Sequence, residues 1–352
     1  RVPGFDKVFE EDRPDDLDYI ATQAEILKEQ SFYTEVAYDL TTDWEVLLGA
    51  RHFRFKDDAN VCSLLFPISE PYVVNDYPLA CIGDKDDESG NLGKFSSKYK
   101  FNEYQNIYFT VAEGFRRGGT NILPVEAINN RSYAPDKVVN YELGTHSDFL
   151  NGRLVFNGSL FYMKWKDVQV SAYNQDGNLI TANAGTARSK GVELEALAQL
   201  NQFWNLRFNY SYTDAALTES VALVSNERDK ITAESGDRLP GSPKQQWGLG
   251  LNYQQMINTA TLSAHINYAY SGDIATALNK NFADYDQLDG YSTVNAKVEL
   301  SWSNWQLGAF VNNLGNTHAI TGKRSPVFYG EMGQFDYITR PRTIGLTAKY
   351  QF

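Results

Sequence analysis

Side chains alternate at period two along most of this sequence, and sustained helical spacing is almost absent. At the C-terminus Ile344, Leu346, Ala348, Tyr350 and Phe352 point one way, while Thr343, Gly345, Thr347, Lys349 and Gln351 point the other. The same split sets Val294, Ala296, Val298, Leu300 and Trp302 against Thr293, Asn295, Lys297, Glu299 and Ser301. It recurs at Leu262, Ala264, Ile266, Tyr268 and Tyr270, and at Leu206, Phe208, Tyr210 and Tyr212. A chain patterned in this way is all-β.

A soluble sandwich also alternates, so other features decide where the apolar face points. The alternating stretches run to roughly 10–14 residues, against about 5–6 in globular strands. Their apolar faces end in Tyr, Trp or Phe, as in the aromatic girdles of membrane barrels. Tyr (22), Phe (20) and Trp (6) together outnumber the 32 Lys and Arg. Connections alternate strictly between short and long. Short turns fall at Thr41-Thr42-Asp43, Glu103-Tyr104-Gln105, Leu150-Asn151-Gly152, Asn201-Gln202-Phe203, Met256-Ile257-Asn258 and Ser303-Asn304. Long connections cover 57–94, 117–137, 172–186, 218–243, 273–289 and 317–340. This is the layout of an outer-membrane β-barrel, with the short turns periplasmic.

The alternation predicts strands near 29–41, 44–56, 95–102, 106–116, 138–149, 153–171, 187–200, 204–217, 244–255, 259–272, 290–302, 305–316 and 341–352. They form an up-and-down antiparallel meander, with residues 1–28 read as an extracellular loop or extension. An odd set cannot close with every neighbour antiparallel, and single-chain bacterial barrels have even strand numbers. The expectation is therefore an open sheet that is one part of a larger barrel.

Composition removes other classes. No apolar run reaches the ~18 residues of a membrane-spanning helix. Arg1 opens the chain without a charged-then-apolar leader, as a mature or truncated start or a cytosolic protein would. A net charge of −12 argues against a nucleic-acid partner. No catalytic constellation is visible and no cofactor is expected. His52, His146, His265 and His318 lack ligand spacing and read as satisfied polar residues. Asp84, Asp86, Asp87 and Glu88 form a solvated acidic stretch; a calcium loop would need Glu where Phe95 stands. Gly114–Gly119 reads as a rim turn rather than a phosphate loop, since no helix follows it.

Several segments resemble the C-terminal portion of a TonB-dependent outer-membrane receptor. They are Glu113-Gly114-Phe115-Arg116-Arg117-Gly118-Gly119, Asn140-Tyr141-Glu142-Leu143-Gly144-Thr145 and the stretch from Asn183 through Gly191-Val192-Glu193-Leu194-Glu195. Asn312-Asn313-Leu314-Gly315-Asn316 and Arg340-Pro341-Arg342-Thr343-Ile344-Gly345-Leu346 complete the set, each placed on an expected strand. The resemblance covers residues from about 29 to 352. It implies a barrel of 22 strands closed by a plug, of which this chain supplies about 13. It also implies uptake of a bulky nutrient, most often a ferric siderophore, with cobalamin, haem and oligosaccharides as the family's other substrates. TonB is the implied partner, through a segment not matched in this sequence, and Phe352 resembles the family's assembly signal. A passive porin or structural barrel is the alternative, and a soluble β-sandwich binding module the third reading.

Position then nominates residues. Inward Arg207, Glu193, Glu195, Lys297 and Glu299 face a hydrated lumen or a plug, while mid-bilayer charges on the lipid side cost roughly 2–4 kcal/mol. Gly144, Gly248, Gly250 and Gly308 fall inward too, where they permit close approach or relieve curvature. The extracellular mouth collects Arg116, Arg117, Tyr173, Arg188, Arg238, Arg324, Tyr329 and Tyr337 as candidate ligand-binding residues. Arg offers a planar fork to carboxylate or catecholate oxygens and Tyr an amphipathic surface; alternatively the arginines hold lipopolysaccharide phosphates or pair within the chain. Cys62 and Cys81 share one exterior connection in a compartment that permits disulfides, and are expected to pair. Closing that loop of about 20 residues contributes ~3 kcal/mol in the chain-entropy account.

Overall fold

Thirteen antiparallel strands hydrogen-bond into one sheet in sequence order, an up-and-down meander. The computed structural model describes residues 19–65, 80–123, 131–173, 179–225, 230–280, 285–324 and 335–352. In chain order the strands begin with β1 (Tyr19–Asp39), β2 (Trp44–Leu65), β3 (Ala80–Asn102), β4 (Gln105–Arg116), β5 (Gly119–Thr120), β6 (Ser132–Tyr133), β7 (Asp136–Phe149) and β8 (Leu154–Lys166). They continue with β9 (Gln169–Tyr173), β10 (Leu179–Asn183), β11 (Thr186–Gln199), β12 (Trp204–Leu217), β13 (Val221–Ser225), β14 (Lys230–Ala233), β15 (Gln245–Ile257) and β16 (Ala260–Ser271). The last are β17 (Ile274–Ala275), β18 (Gln287–Leu288), β19 (Tyr291–Trp302), β20 (Trp305–Asn312), β21 (Ile320–Arg324), β22 (Phe335–Ile338) and β23 (Thr343–Tyr350). The wall is β1-β2-β3-β4-β7-β8-β11-β12-β15-β16-β19-β20-β23, open at β1 and β23. The ten other strands pair off as small hairpins within the long connections.

Short turns are tight. Leu150, Asn151, Gly152, Asn258 and Ser303 take left-handed φ there, a region in which Asn and Gly carry the smallest penalty. Aromatic rings gather at this rim: Trp305 lies 4.8 Å from Tyr350, Trp204 4.7 Å from Tyr253, and Tyr99 5.4 Å from Phe101.

The sheet is apolar on its outer face. Ile107, Phe109, Leu143, Leu160, Leu249, Ile266, Val298, Leu300, Leu307, Ile344 and Leu346 are all exposed, Leu346 by 85%. Their alternation partners Tyr108, Glu142, Ser159, Gly248, Asn267, Lys297, Glu299 and Thr347 occupy the inner face. Phe208 shares the outer face but is only half-exposed. Among the described residues the buried set lies instead in the long-loop half. Val168, Val170, Ala184, Ala187, Leu217, Ala233 and Leu278 form one cluster, and Leu123 with Ile180 a second. The wall relies on lipid for its apolar face, and the loops make their own core.

Several boundaries differ from the sequence expectation. β1 starts at Tyr19 rather than near residue 29, so residues 19–28 belong to the wall strand and not to an extension; residues 1–18 lie outside the described set. The connection expected over 57–94 is mostly strand. β2 and β3 pair continuously from Trp44↔Tyr99 to Ser63↔Ala80. Polar side chains hide this stretch from an alternation argument, yet the backbone ladder needs none. Cross-strand ion pairs such as Lys85–Asp58 (2.9 Å) and Arg54–Asp87 (2.5 Å) take the place of apolar contacts. Cys62 and Cys81 are ladder partners in this hairpin and are joined by a disulfide.

The strand expected over 153–171 is two strands. β8 stops at Lys166, and Asp167 at φ 55° turns the chain out of the wall into the β9–β10 hairpin. Likewise β20 ends at Asn312, so Asn313-Leu314-Gly315-Asn316 form a turn and not a strand. Asn313, at φ 52°, donates its amide to the carbonyls of Thr317 and Arg340 (both 2.9 Å).

Because the outer face meets lipid, Val298→Arg is expected to destabilise the folded chain in bilayers by about 2–4 kcal/mol. Asn267→Arg, on the inner face, should cost far less; urea unfolding in bilayers measures both.

Candidate functional site

The long-loop rim receives the ends of β4 and β11 and the segment leading into β15, and these carry the arginines. Each described arginine of the nominated set is engaged by an aspartate. Arg116, at the end of β4, donates its Nε to Asp136 Oδ2 (2.8 Å), and its Nη2 reaches the same oxygen. Its guanidinium lies 4.6 Å from the Trp165 ring centroid, within cation–π range. Asp136 is 1% exposed and also accepts from the Gln169 amide (3.1 Å), tying the β9 hairpin to the wall.

Arg117 joins three elements, with Nη1 2.6 Å from Glu25 on β1 and 3.1 Å from Asp57 on β2. Nearby, Thr120 donates to Asp84 (3.1 Å), and Ser63 to the Leu123 carbonyl (3.4 Å). The chain after β4 is thus buttoned onto the inner face of the β2–β3 hairpin, beside a stacked Phe53–Phe115 pair (3.9 Å). Arg238 donates to Asp273 Oδ2 (2.8 Å) and the Ser242 carbonyl (3.0 Å). Arg188 pairs with Asp214 (3.0 Å). Its alternation with Val192 and Leu194 puts it on the outer face, so it does not join the mouth as the sequence suggested.

Tyr337 on β22 is exposed by 55%. Tyr173 and Arg324 lie in β9 and β21, with side chains outside the described set, as is Tyr329 altogether. Among the described residues no group of three or more His, Cys, Asp or Glu could hold a metal ion.

The carboxylates at the rim titrate in opposite senses. Burial, reinforced by the neighbouring Glu25 charge, raises Asp57 above its ordinary value. The hydrogen bond from Arg238 lowers Asp273, and that from Lys323 lowers Asp286. A raised carboxyl contributes stability that is full below its unfolded pKa and lost as pH rises through the folded value. A lowered one contributes stability present above the unfolded pKa and lost as pH falls. Acidification from neutral toward the ordinary value of 3.8 is therefore expected to stabilise the packed rim around Asp57, because protonation relieves its desolvation and its repulsion by Glu25. Below 3.8 the loops held by Asp273 and Asp286 should loosen. Local amide exchange, corrected for intrinsic rates, reads both trends, and Asp57→Asn should abolish the first.

Beneath the rim, the inner wall carries a cavity of about 770 Å³. Sequence reasoning placed Glu193, Glu195 and Arg207 here but missed Tyr108, Glu142, His146 and Asn157, which also line it. Tyr108 donates to Glu142 (2.6 Å) and stacks on His146 (5.1 Å). His146 Nδ1 meets Asn157 Oδ1 (3.1 Å), and Asn157 donates to Glu195 (3.4 Å). The available signal was register: Tyr108↔Gly144 and His146↔Asn157 are cross-strand pairs. Gly144 is needed for close approach, since a Cβ there would sit 2.4 Å from the Tyr108 ring. Gly144→Ala is expected to displace that ring and cost roughly 1–3 kcal/mol, measurable as a lower unfolding midpoint in detergent.

Comparison with known proteins places this architecture. The family model described as "TonB dependent receptor-like, beta-barrel" matches residues 6–314. The pesticin receptor of Yersinia pestis is 25% identical over 284 residues, covering 76% of this chain and 37% of that protein. The probable TonB-dependent siderophore receptor PiuA of Acinetobacter baumannii is 28% identical over 235 residues, covering 63% and 30%. The chain thus spans about a third of the length of these relatives. The crystal structure of the ferric yersiniabactin uptake receptor FyuA from Yersinia pestis superposes with a TM-score of 0.76 at 20% identity, covering 95% of this chain and 47% of that one. All three are named as receptors. With that match and thirteen wall strands in meander order, the chain belongs to the TonB-dependent receptor β-barrel family.

Proposed function

We propose that this chain forms part of the barrel wall and mouth of an outer-membrane receptor that imports a ferric siderophore or similar bulky iron complex, with energy coupling through TonB. The observation that carries the reading is the mouth. Arg117 and Arg238 stand above a polar inner wall, where their forks suit the oxyanion groups of an iron chelate, and Arg116 anchors the rim beside them. Tyr337 adds exposed aromatic surface, and Tyr173, Arg324 and Tyr329 belong to the same loops. The relatives named as pesticin and siderophore receptors support this substrate class over cobalamin, haem or oligosaccharide. In the whole receptor the acidic inner wall around Glu142, Glu193 and Glu195 faces the plug.

The test uses cells carrying the whole receptor under iron limitation, supplied with radiolabelled iron in catecholate, hydroxamate or mixed-ligand chelates. Uptake of one chelate class is expected, abolished by an uncoupler of the inner membrane. Arg238→Ala and Tyr337→Ala should each weaken surface binding about tenfold, the equivalent of ~1.4 kcal/mol. Uncoupler-insensitive permeation of small solutes would establish a passive porin instead.

A further inference from the structure

One guanidinium nitrogen serves two carboxylates where the chain leaves β4. Arg117 Nη1 lies 2.6 Å from Glu25 on β1 and 3.1 Å from Asp57 on β2. Two anions therefore share one cation, and the trio carries one uncompensated negative charge. Asp57 Oδ1 is buried and meets no hydrogen-bond donor among the described residues. A buried carboxylate oxygen left in that state is costly, and a proton on it supplies the remedy. Burial first, then the charge of Glu25, raise Asp57 above its ordinary value against the pull of Arg117, and a hydrogen bond between the two carboxyls adds to the rise.

The surrounding elements add mostly anions. On β3, Asp86 stands opposite Asp57 in the ladder, flanked on the same face by Asp84 and Glu88. β1 places Leu27 opposite Asp57, with Glu29 beyond it bound to Arg51 (2.5 Å). Tyr133 on β6 is the other titratable group near Arg117. The nearby cations are engaged elsewhere: Arg116 is held by Asp136, and Lys137 acts on Glu88. Arg117 is thus the cation that keeps Asp57 and Glu25 ionised together. It is also the accessible member, 39% exposed against 12% for Asp57, so an incoming oxyanion meets the fork first.

Two carboxylates within hydrogen-bonding reach do not both stay ionised once their cation is withdrawn. We propose that an oxyanion taking the Arg117 fork is exchanged for one proton at the Asp57–Glu25 pair, so that capture at the mouth is proton-linked and Asp57 is the positioning residue that tunes it. The exchange takes the mouth to be the site of an anionic iron chelate and rests on that reading. The Arg117–Asp57 ion pair breaks, a proton from water binds Asp57, and the new O–H donates to Glu25. The oxyanion replaces the negative charge that Asp57 gives up, and no electrons change hands. For a monoanionic group the net charge of the cluster is the same before and after, which spares a partly buried site an uncompensated ion. Because the bound state holds the proton more tightly, affinity climbs as pH falls through the bound-state pKa and levels off below that of the free receptor.

The test uses the whole receptor in detergent with methanesulfonate, an oxyanion whose single charge does not titrate near neutral pH, at constant ionic strength. Its affinity is expected to be roughly threefold to tenfold higher at about pH 5 than at about pH 7, since a shift of one pKa unit amounts to a factor of ten at most. Infrared difference spectra should show a protonated-carboxyl stretch growing in as methanesulfonate binds. Asp57→Asn should remove both that band and the pH dependence, holding affinity near the parent's acid value throughout. Were Asp57 only a structural support, this variant would lose stability and keep the slope. Arg117→Gln should show the carboxyl band with no methanesulfonate present, a second reading that does not depend on the Asp57 variant folding. Asp58→Asn, on the outer face of β2 and paired with Lys85, should leave the slope unchanged. A pH-independent affinity, a band that persists in Asp57→Asn, or no binding that depends on Arg117 overturns the proposal. A receptor that shows the exchange but takes up no iron chelate overturns the proposed cargo alone; one that takes up the chelate without the exchange overturns the proton link alone.

Discussion

Every backbone N–H and C=O that crosses hydrocarbon needs a partner, because no water is present to supply one. The rest of this structure depends on that constraint. A meander satisfies it with the shortest connections, and alternation then lets one face meet lipid while the other stays polar. It also makes the edges significant. β1 and β23 each present one unpaired row of backbone groups along a length that crosses the apolar belt. Both edge strands run toward the same rim, so these thirteen strands cannot close on themselves with every neighbour antiparallel.

The constraint also moves the hydrophobic core. In a soluble sheet, Leu300 and Leu346 would be packed and Glu299 and Thr347 wetted by bulk solvent. Here the apolar side chains are the solvated ones, with lipid as solvent, and true burial occurs where the chain leaves the membrane. Val168, Ala233 and Leu278 come from three separate connections and meet Leu217, at the end of β12, in one cluster. That cluster and the Arg238–Asp273 pair fix the loops against one another, while Arg116 and Arg117 fix them to the wall. Asp136 shows how closely the two are joined, since one almost fully buried carboxylate holds both Arg116 and the Gln169 amide. The mouth is therefore a packed layer with a defined shape.

Much of this was legible in the residues, because alternation and turn chemistry both act locally. β12 runs from Trp204 to Leu217, as its pattern indicated, and β19 differs only at its first residue. The pattern fails where side chains stop reporting the environment. From Asp57 to Asn60 and from Asp84 to Glu88 the side chains are mostly polar on both faces, so no apolar alternation shows although Ala59 is buried, and a disulfide and ion pairs join the two strands. Asp167 and Asn313 end strands through a single left-handed φ, which a polar residue within a strand pattern does not announce. At the mouth, residue type identified the arginines but not their aspartates. Asp136 and Arg116 are partners through the β4–β7 register, and Arg238 and Asp273 through the packing of two loops; neither follows from spacing along the chain.

Those aspartates change what binding at the mouth involves. An oxyanion reaching Arg117 has to displace either Glu25 or Asp57, so binding is an exchange rather than an addition. The two carboxylates are not equivalent in that exchange. Glu25 lies closer to the guanidinium, whereas Asp57 is more deeply desolvated and its pKa is raised. Displacing Asp57 releases a group that can take up a proton in place of its cation, which offsets part of the loss. Glu25 would keep holding Arg117 to β1 while the fork turns toward the ligand. The same reasoning separates Arg116, whose partner Asp136 is buried and shared with the backbone, from Arg238, whose partner Asp273 is 42% exposed. Removing Arg116 from Asp136 would strand a buried charge, at a cost greater than a surface contact returns. Arg116 is accordingly a structural anchor of the mouth, and Arg117 and Arg238 are the arginines free to change partners.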